Sequence, residues 1–354
     1  MTPIEDVRGW LNERAGSEAL GHVLTAKVVP RHRYSILYYL GGMALFLFLI
    51  QLGTGLLLLL YYEPGVSTAY ESVKRISGEI PFGWLVRSLH RWSADLFIGV
   101  LGLHLFSAFF MKAYRQPREL TWLTGMGGLG VALGFGFSGY LLPWDEVAFF
   151  ATSVGTEVAG SLPVVGKPLL QVMRGGEDVT GATLARFFAL HVVVLPFAAL
   201  GLVGAHLLLV QKHGMSVPPN LPETGRPRPF FPDFLLRDLV GWTLALAVLA
   251  ALAALAPAEL GPKANPFASA PPGIKPEWYF YAPFQQLKWI PSHVGPFEGE
   301  AVGAVAFALL GLLFALVPFL DRKAARGERS PVFTAAGIVV LAYLLVLTCY
   351  GWLH

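Results

Sequence analysis

Four histidines lie inside apolar sequence as two matched pairs, His90 with His104 and His191 with His206. The members of the first pair are 14 residues apart and those of the second are 15 residues apart, each within one long hydrophobic segment. In an α-helix such intervals span roughly 21–23 Å and return to within about 40° and 60° of the starting direction. Two such helices side by side would form two stacked bis-histidine sites, which is the geometry for two haems spanning a bilayer.

Each histidine taken alone has other roles open to it. An intramembrane histidine also forms hydrogen bonds to a neighbouring helix, lines proton paths or serves transporters. Matched spacing on two helices favours axial haem ligation, because coincidence would have to supply both the spacing and the depth. Two imidazoles leave no open iron position, which suits electron transfer better than small-molecule activation. The remaining histidines lack this pattern: His22, His32, His213, His293 and His354.

Two glycine pairs repeat the same interval. Gly41 and Gly55 are 14 residues apart in one apolar stretch, and Gly125 and Gly139 are 14 residues apart in another. Because glycine lets a neighbouring group approach the backbone closely, we predict that these four positions make room for haem edges. Ordinary packing of small residues between helices is the alternative.

The composition indicates a membrane protein. The chain is 55% hydrophobic and 14% charged with a mean hydropathy of +0.56, whereas soluble domains average about 25% charged residues. Seven stretches, named segments 1 to 7, are long and apolar enough to cross a bilayer. They cover residues 35–60, 84–111, 121–142, 185–210, 239–257, 300–319 and 332–352.

The N-terminus shows no cleavable signal pattern, and its apolar residues recur at helical spacing between charges. This pattern predicts a helix lying on the membrane surface. The expected fold is therefore all-α and transmembrane: a four-helix haem-binding bundle, three further membrane helices and an N-terminal amphipathic helix. The single cysteine, Cys349, excludes an intrachain disulfide and any multi-cysteine metal site.

Basic residues set the orientation. They are concentrated before segment 1 and in the links after segments 2, 4 and 6, which share one side of the membrane. The positive-inside rule then places the N-terminus in the cytoplasm and the C-terminus outside. Segments 2 and 4 both run from outside to inside, so His90 pairs with His191 at the outer side and His104 with His206 at the inner side.

Basic side chains also lie near the histidines. Arg87 and Arg91 flank His90, and Arg186 precedes His191. Haem propionates require charge-assisted partners, and arginine offers a two-pronged donor, so we predict that these arginines bind propionates. Arg118 and Lys112 could do the same at the inner side, although topological charge explains them equally well.

Several motifs now carry a family resemblance. RSLHRWSA, PRELTWLTG, SGYLLPWDE, MRGGEDVTGATLARFFALH and PEWYF resemble cytochrome b of the quinol:cytochrome c oxidoreductases, most closely the b6f branch. The resemblance covers nearly the whole chain. Residues 1–215 resemble the four-helix, dihaem cytochrome b6 part, and residues 216–354 resemble the three-helix subunit IV part.

This resemblance implies a function and a pocket. The family oxidises quinol at an outer site, sends one electron to a Rieske iron–sulfur protein and the other through two haems to an inner quinone site, and thereby translocates protons. The implied outer pocket contains Tyr140, Pro143, Trp144, Pro276, Glu277, Trp278 and Tyr279. Glu277 fits the chemistry, since a carboxylate in a partly apolar pocket can accept a proton. Without the resemblance, PEWY would indicate an interfacial aromatic group with a loop acid.

At the inner side, Asp238 is similar to an acid that contacts quinone in bc-type members. Lys212 and His213 could supply protons there, although surface charge at a helix end explains Lys212 equally well. The b6f branch has a cysteine that holds an extra haem covalently, where this chain has Tyr39. We therefore predict two non-covalent b-type haems and no covalent haem.

The implied partners are a Rieske protein, a c-type cytochrome, quinone, membrane lipid and a second copy of the complex in a homodimer, without nucleic acid. A bacterial inner membrane is the expected location, with the C-terminus in the periplasm. Two rival classes stay open from the histidines alone. One is a dihaem anchor of a hydrogenase or formate dehydrogenase, and the other, less favoured, is a proton-coupled transporter.

Overall fold

The computed structural model describes residues 27–219 and 221–354, and this part of the chain is mostly helical. The expected N-terminal surface helix lies outside the described residues. Among the described residues, six helical stretches have the length and apolar composition to cross a membrane, and a further apolar helix, Gly299–Ala315, is shorter. The all-α transmembrane class is thus confirmed, and segment 6 is the one whose helix is shorter than expected.

The helices follow the apolar segments closely, because in lipid an α-helix satisfies its own backbone donors and acceptors. In chain order they are α1 (Tyr39–Leu59), α2 (Ala69–Gly78), α3 (Gly83–Phe110), α4 (Glu119–Leu141), α5 (Glu146–Gly160), α6 (Gly166–Arg174), α7 (Gly181–Ala189), α8 (Leu195–His213), α9 (Leu235–Leu255), α10 (Tyr281–Trp289), α11 (Gly299–Ala315), α12 (Val317–Leu320), α13 (Arg322–Ala325) and α14 (Pro331–Leu353). Two short antiparallel pairs join β1 (Val28–Val29) to β2 (Arg228–Pro229) and β3 (His293–Val294) to β4 (Phe297–Glu298).

The helices that carry the histidines are each packed against a helix that carries the glycines. Helix α1 packs chiefly along α3, and α4 packs chiefly along α8. Helix α9 covers α1 and α3, and α14 packs against α10 and α3. Large apolar side chains on the outward faces, such as Leu56, Phe197 and Leu208, are exposed, as expected for surfaces that contact lipid.

A π-helical turn, Leu190–Val194, joins α7 to α8, so that Gly181–His213 is one continuous helix. Pro196 follows this turn and has no backbone N–H with which to continue the ordinary hydrogen-bond ladder. A π turn accommodates one extra residue. The 15-residue interval from His191 to His206 therefore becomes equivalent to the 14-residue interval in α3, and both helices present their histidines in the same way.

Two clusters of buried side chains hold the links in place. At the end of the bundle near His90 and His191, Trp144 and Phe149 pack with Leu184 and Phe187, which fixes the link after α4 against α7. The carboxylate of Asp145 accepts a hydrogen bond from the Ala148 backbone N–H at 2.9 Å and caps α5. At the opposite side, a second cluster joins the link after α3 to the segment after α11 through Phe109, Tyr114, Trp122, Val317 and Ala324.

Candidate functional site

The structure brings the four histidines together as two facing pairs. The ring centroids of His90 and His191 are 6.3 Å apart, and those of His104 and His206 are 6.4 Å apart. If two imidazole nitrogens each lie about 2 Å from a shared metal, with each ring centre about 1.1 Å beyond its nitrogen, the centroids are about 6 Å apart. Each pair therefore has the spacing of two ligands on opposite sides of one metal ion.

Three of the four imidazoles are oriented by a hydroxyl group on the neighbouring helix. The Nδ1 atoms of His90, His191 and His206 lie 2.9, 3.1 and 3.2 Å from the hydroxyls of Thr54, Ser138 and Thr124. Each hydroxyl donates its own proton to a backbone carbonyl four residues earlier in its helix. It must then accept a hydrogen bond from Nδ1–H, and this tautomer leaves Nε2 free as the ligand atom.

His104 is the exception, because its Nδ1 is buried without a hydrogen-bond partner among the described residues. A sequence signal accompanies this difference. A hydroxyl residue directly precedes Gly55, Gly125 and Gly139, whereas Leu40 precedes Gly41. These hydroxyl residues were not predicted from the sequence, although their position directly before three of the four glycines was a signal for them.

Each of the four predicted glycines faces one of the imidazoles. A Cβ would lie 3.2 Å from His104 Cε1 if added at Gly41, and 3.4 Å from His90 Cε1 if added at Gly55. The corresponding distances are 3.3 Å from Gly125 to His206 and 2.6 Å from Gly139 to His191. The glycines thus admit the imidazole rings themselves, and clearance for a haem edge stays a prediction.

The donor set of each pair fits a haem. Within residues 27–219 and 221–354, no group of three or more His, Cys, Asp or Glu side chains is arranged to hold a metal ion. Each histidine pair would hold a haem with one imidazole from each of two helices, and a haem bound there would itself supply the remaining ligands of its iron.

The PEWY sequence forms a turn beside the outer pair. Glu277 precedes a 3₁₀ turn, Trp278–Phe280, and its Oε2 accepts a hydrogen bond from Arg91 Nη2 at 2.8 Å. The Glu277 side chain is only 11% exposed. Burial raises the pKa of Glu277, and the neighbouring Arg91 guanidinium opposes that rise. A carboxyl group with these surroundings can hold a proton at a higher pH than an exposed glutamate.

Tyr279 lies directly on α4. A Cβ added at Gly136 would be 2.5 Å from the Tyr279 hydroxyl, so this glycine gives the ring its place. Burial raises the pKa of Tyr279, and Glu277 adds to that rise, so the hydroxyl stays protonated. Tyr140, also on α4, lies close enough to interact electrostatically with both groups.

Trp144 connects the link after α4 to the link after α9. Its ring is buried against Phe149, and its backbone carbonyl accepts a hydrogen bond from the Ala264 N–H at 3.1 Å. Arg91 also lies at the edge of a cleft of about 460 Å³ that is otherwise lined by Trp92, Asp95 and residues 255–259.

The arginines near the outer pair differ in their contacts. Arg87 donates to the Ser77 hydroxyl at 3.1 Å and to the carbonyls of Ala258 and Glu259 at 2.8 and 2.6 Å. Arg186 is exposed and donates a 3.4 Å hydrogen bond to the Ala182 carbonyl. These bonds involve the protein itself, and the propionate roles of both arginines stay predictions.

At the opposite end of the bundle, Arg118 donates to the His213 carbonyl at 2.9 Å, and its Nε is buried without a partner in the described part of the chain. Arg118 therefore has a donor to spare. Lys112, in contrast, belongs to a buried cluster, because its Nζ lies 3.9 Å from Asp321 and over the ring of Phe109. These contacts give Lys112 a structural role between α3 and the segment after α11, and a role toward haem stays a prediction.

The inner-site candidate Asp238 lies where α9 meets α1, and so does Tyr39, the residue at the position of the b6f-branch cysteine. Asp238 is buried against Gly42, and its Oδ1 has no hydrogen-bond partner among the described residues. The Tyr39 ring stacks on Phe234 with centroids 4.5 Å apart, and its hydroxyl accepts a 3.0 Å hydrogen bond from Arg228.

Asp95 is a further site residue that was not predicted from the sequence. This acid lies on α3 one turn after Arg91, inside an apolar segment, and its Oδ2 accepts from Arg91 Nη1 at 2.7 Å. An acid inside a membrane segment is by itself a signal for function, because charge there is costly.

Comparisons with known proteins give a consistent result. The family model described as cytochrome b/b6/petB matches residues 24–214, and the one described as cytochrome b (C-terminal)/b6/petD matches residues 263–354. The cytochrome b subunit of a cytochrome bc complex from Chlorobaculum thiosulfatiphilum is 50% identical over 347 residues, covering 97% of this chain and 80% of that protein. Cytochrome b6 of Synechococcus elongatus is 42% identical over 212 residues, covering 60% of this chain and 98% of that protein. A solved chain described as hyperthermophilic respiratory Complex III matches with a TM-score of 0.85 at 33% identity, covering 97% of this chain and 90% of that one.

Proposed function

Because this chain belongs to the cytochrome b/b6 family, we propose that it is the dihaem cytochrome b subunit of a quinol:cytochrome c oxidoreductase. The observation that carries the proposal is the pair of facing histidine sites, with centroids 6.3 and 6.4 Å apart, one of them beside the Glu277 turn. A dihaem anchor of another enzyme would share the histidines, but it does not require the acidic PEWY turn. A transporter would require neither.

His90 and His191 would hold the outer haem, and His104 and His206 the inner haem, both without covalent attachment. When bound, these haems supply a path for one electron across the membrane. The histidines keep the ligand nitrogen toward the metal, and for three of them a hydroxyl at Nδ1 fixes that orientation. Arg118, whose Nε has no partner among the described residues, has a donor available for a propionate, and Arg87, Arg91 and Arg186 are candidates through their positions near the outer pair.

At the outer site, Glu277 accepts a proton from the quinol hydroxyl. Burial raises the pKa of Glu277, which makes it a stronger base than an exposed glutamate. The aromatic side chains of Tyr140, Trp278 and Tyr279 and the ring of Pro276 form an apolar wall that excludes water from the reacting hydroxyl. Two protons leave toward the outside for each quinol oxidised.

At the inner site, Asp238 is the acid that contacts quinone and delivers protons taken from the cytoplasm. Its buried, unpartnered Oδ1 supports this role, because such an oxygen gains stability from a ligand donor. His213 lies at the end of α8 on the same side, and its Nδ1 is also buried without a partner in the described residues.

The same reasoning gives the partners and the location. One electron from each quinol goes to a Rieske iron–sulfur protein and from there to a c-type cytochrome. The complex is a homodimer in a bacterial inner membrane, with the N-terminus in the cytoplasm and the C-terminus in the periplasm. Residues 1–215 form the dihaem part and residues 216–354 the part that carries the quinol-site turn.

The first experiment counts haems in the purified complex. We expect a dithionite-reduced b-type α band from two haems, none of which stays attached during denaturing electrophoresis. His104→Ala should lose the inner haem and keep the outer one. His293→Ala, an exposed histidine in β3, is the matched control. Absence of a b-type band would overturn the function, and loss of only the outer haem in His104→Ala would overturn the assigned pairing.

The second experiment tests the outer site. Glu277→Gln should lower the quinol oxidation rate by roughly 100-fold or more while both haems stay bound, because a general base typically contributes 10²–10⁴-fold. Glu298→Gln changes an exposed acid in β4 in the same manner and should leave the rate unchanged. A wild-type rate in Glu277→Gln would show that the outer-pocket assignment is wrong.

A further inference from the structure

Asp95 is a second carboxylate at the outer site. Its Oδ2 accepts a hydrogen bond from Arg91 Nη1 at 2.7 Å, and its Oδ1 accepts one from Trp278 Nε1 at 2.9 Å. The side chain is 13% exposed. Asp95 therefore connects the arginine on α3 to the tryptophan of the PEWY turn, with one oxygen for each.

Arg91 is shared between two acids. Its Nη1 donates to Asp95 and its Nη2 donates to Glu277, at 2.7 and 2.8 Å. The three groups carry a net charge of −1 when both acids are ionised and a net charge of zero when one acid takes up a proton. If Asp95 were absent, a proton on Glu277 would leave the Arg91 guanidinium as a cation without a counter-ion in a partly buried site, which is costly.

We propose that Asp95 is a positioning residue for quinol oxidation: it is the standing counter-ion of Arg91 and so allows Glu277 to accept and release the quinol proton. This inference rests on the proposed function of the outer site. Oxidation of one quinol to quinone breaks two O–H bonds and releases two protons and two electrons. One proton binds a Glu277 carboxylate oxygen and the other is released to the outer side, while one electron reduces the Rieske protein and the other crosses the membrane. The neutral Glu277 then separates from Arg91, which stays paired with Asp95.

The charged and titratable groups around Glu277 determine the direction in which its pKa changes when Asp95 loses its charge. Arg91 and Asp95 face it from α3, Tyr140 faces it from α4, and Tyr279 and Tyr281 belong to its own turn and the helix that follows. Burial and Asp95 raise the pKa of Glu277, whereas Arg91 lowers it. Removing the charge of Asp95 leaves Arg91 as the dominant charged neighbour, so the pKa of Glu277 should fall.

A simpler role for Asp95 is to anchor the turn. Trp278 packs over Gly99 on α3, where an added Cβ would be 3.8 Å from its ring, and the Asp95 hydrogen bond fixes the indole there. An anchor and a counter-ion predict different pH dependence. Loss of an anchor lowers activity by the same factor at every pH, whereas loss of the counter-ion changes the pH at which Glu277 titrates.

The test uses Asp95→Asn in the intact complex, since asparagine keeps the size of the side chain and an oxygen for Trp278 but removes the charge. A base must be deprotonated to act, so a lower pKa moves the acid limb of the pH–rate profile to lower pH. We expect a displacement of about one pH unit, typical for loss of a near charge. The carboxyl infrared band that disappears in Glu277→Gln should titrate with its midpoint displaced in the same direction, without any turnover.

Three further variants separate the outcomes. Asp95→Glu should restore the wild-type midpoint, and Asp178→Asn, which changes an exposed acid in the link after α6, should leave it unchanged. Trp278→Phe removes the anchor but keeps the charge, so its infrared midpoint should stay at the wild-type pH even if the rate falls. This variant also serves as the test if Asp95→Asn does not assemble.

An unchanged infrared midpoint in Asp95→Asn, with a uniformly lower rate, would overturn the proposal and leave Asp95 as an anchor. A displaced midpoint in Trp278→Phe would overturn it as well. Failure of the underlying function is distinguishable, because in that case Glu277→Gln itself would oxidise quinol at the wild-type rate.

Discussion

At the scale of single residues, hydroxyl groups make the two histidine pairs unequal. Both imidazoles of the outer pair have a hydroxyl acceptor at Nδ1, supplied by Thr54 and Ser138, whereas the inner pair has only Thr124, beside His206. An acceptor at Nδ1–H makes the imidazole a stronger donor to iron, which stabilises the ferric state. We therefore expect the inner haem to have the higher midpoint potential, so that the electron moves inward.

A valine at position 54 tests this idea. Thr54→Val keeps the shape of the side chain and leaves Nδ1–H of His90 without its acceptor, so the midpoint potential of the outer haem should rise. A tenfold change in relative ferric affinity corresponds to about 59 mV for one electron, which sets the expected upper scale. Redox titration of the α bands measures the shift. The midpoint potential of the inner haem should stay unchanged in Thr54→Val. Both potentials should stay unchanged in the control Thr243→Val, which alters an exposed threonine on α9. An unchanged potential of the outer haem in Thr54→Val would contradict the argument.

Residue types and spacing were enough to predict which histidines face each other, because depth and orientation follow from hydropathy and loop charge. They were not enough for Asp95, since its role depends on Arg91 and on Trp278, which is 183 residues further along the chain. Arg87 illustrates the same limit: its position beside His90 predicts a propionate partner, which stays a prediction, but gave no sign of its hydrogen bonds to carbonyls of the link after α9.

At the scale of elements, the helical period predicted the spans but not the π turn at Leu190–Val194. An ideal helix would give the 14- and 15-residue intervals directions that differ by about 100°. The structure removes that difference because the single π turn beside Pro196 contains one extra residue. A sequence pattern based on the regular helical period does not predict such a local change. The helix Gly299–Ala315 is similarly shorter than its apolar run, because Val317 and Pro318 begin a separate short helix.

The distance between each glycine and its facing imidazole predicts how strongly an alanine substitution there weakens haem binding. An added Cβ would be 2.6 Å from the His191 ring in Gly139→Ala but 3.4 Å from the His90 ring in Gly55→Ala. The first contact is shorter than packing allows, so α4 and the His191 ring must separate and the outer haem should be lost or sharply weakened. The second contact is ordinary van der Waals contact with the ring.

Haem content per protein, measured by the pyridine haemochrome spectrum, compares the two alanine variants directly. Gly139→Ala should retain about half of the wild-type haem, because the inner site is unchanged. A larger loss in Gly55→Ala than in Gly139→Ala would contradict the contact-based ranking and would favour clearance for the haem edge as the main role of these glycines.

At the scale of the whole molecule, the outer site combines the two parts of the chain. His90, Arg91 and Asp95 come from the part before residue 215, and Glu277 and Trp278 come from the part after it. Neither part alone holds the complete hydrogen-bond network. Having both parts in one polypeptide fixes their ratio and lowers the entropy cost of bringing them together.

The same two parts are joined on the opposite side by a buried ion cluster. Asp321 is 1% exposed, accepts a 2.7 Å hydrogen bond from the Tyr114 hydroxyl and lies 3.9 Å from Lys112 Nζ. Asp321→Ala would leave Lys112 as a buried cation without its counter-ion, which typically costs on the order of 3 kcal/mol. We expect the melting temperature of the solubilised complex to fall by several degrees at neutral pH.

The pH dependence of that loss identifies its cause. Burial lowers the pKa of Lys112 and Asp321 opposes this, so the pKa of Lys112 should fall further in Asp321→Ala. A neutral lysine needs no counter-ion, and the melting temperatures of the variant and the wild-type protein should therefore converge as the pH rises through the pKa of Lys112. Glu328→Ala, which breaks an exposed pair with Arg326, should not change the melting temperature at either pH. A deficit in Asp321→Ala that stays constant from neutral to alkaline pH would instead indicate that the lost Tyr114 hydrogen bond dominates the stability of this junction.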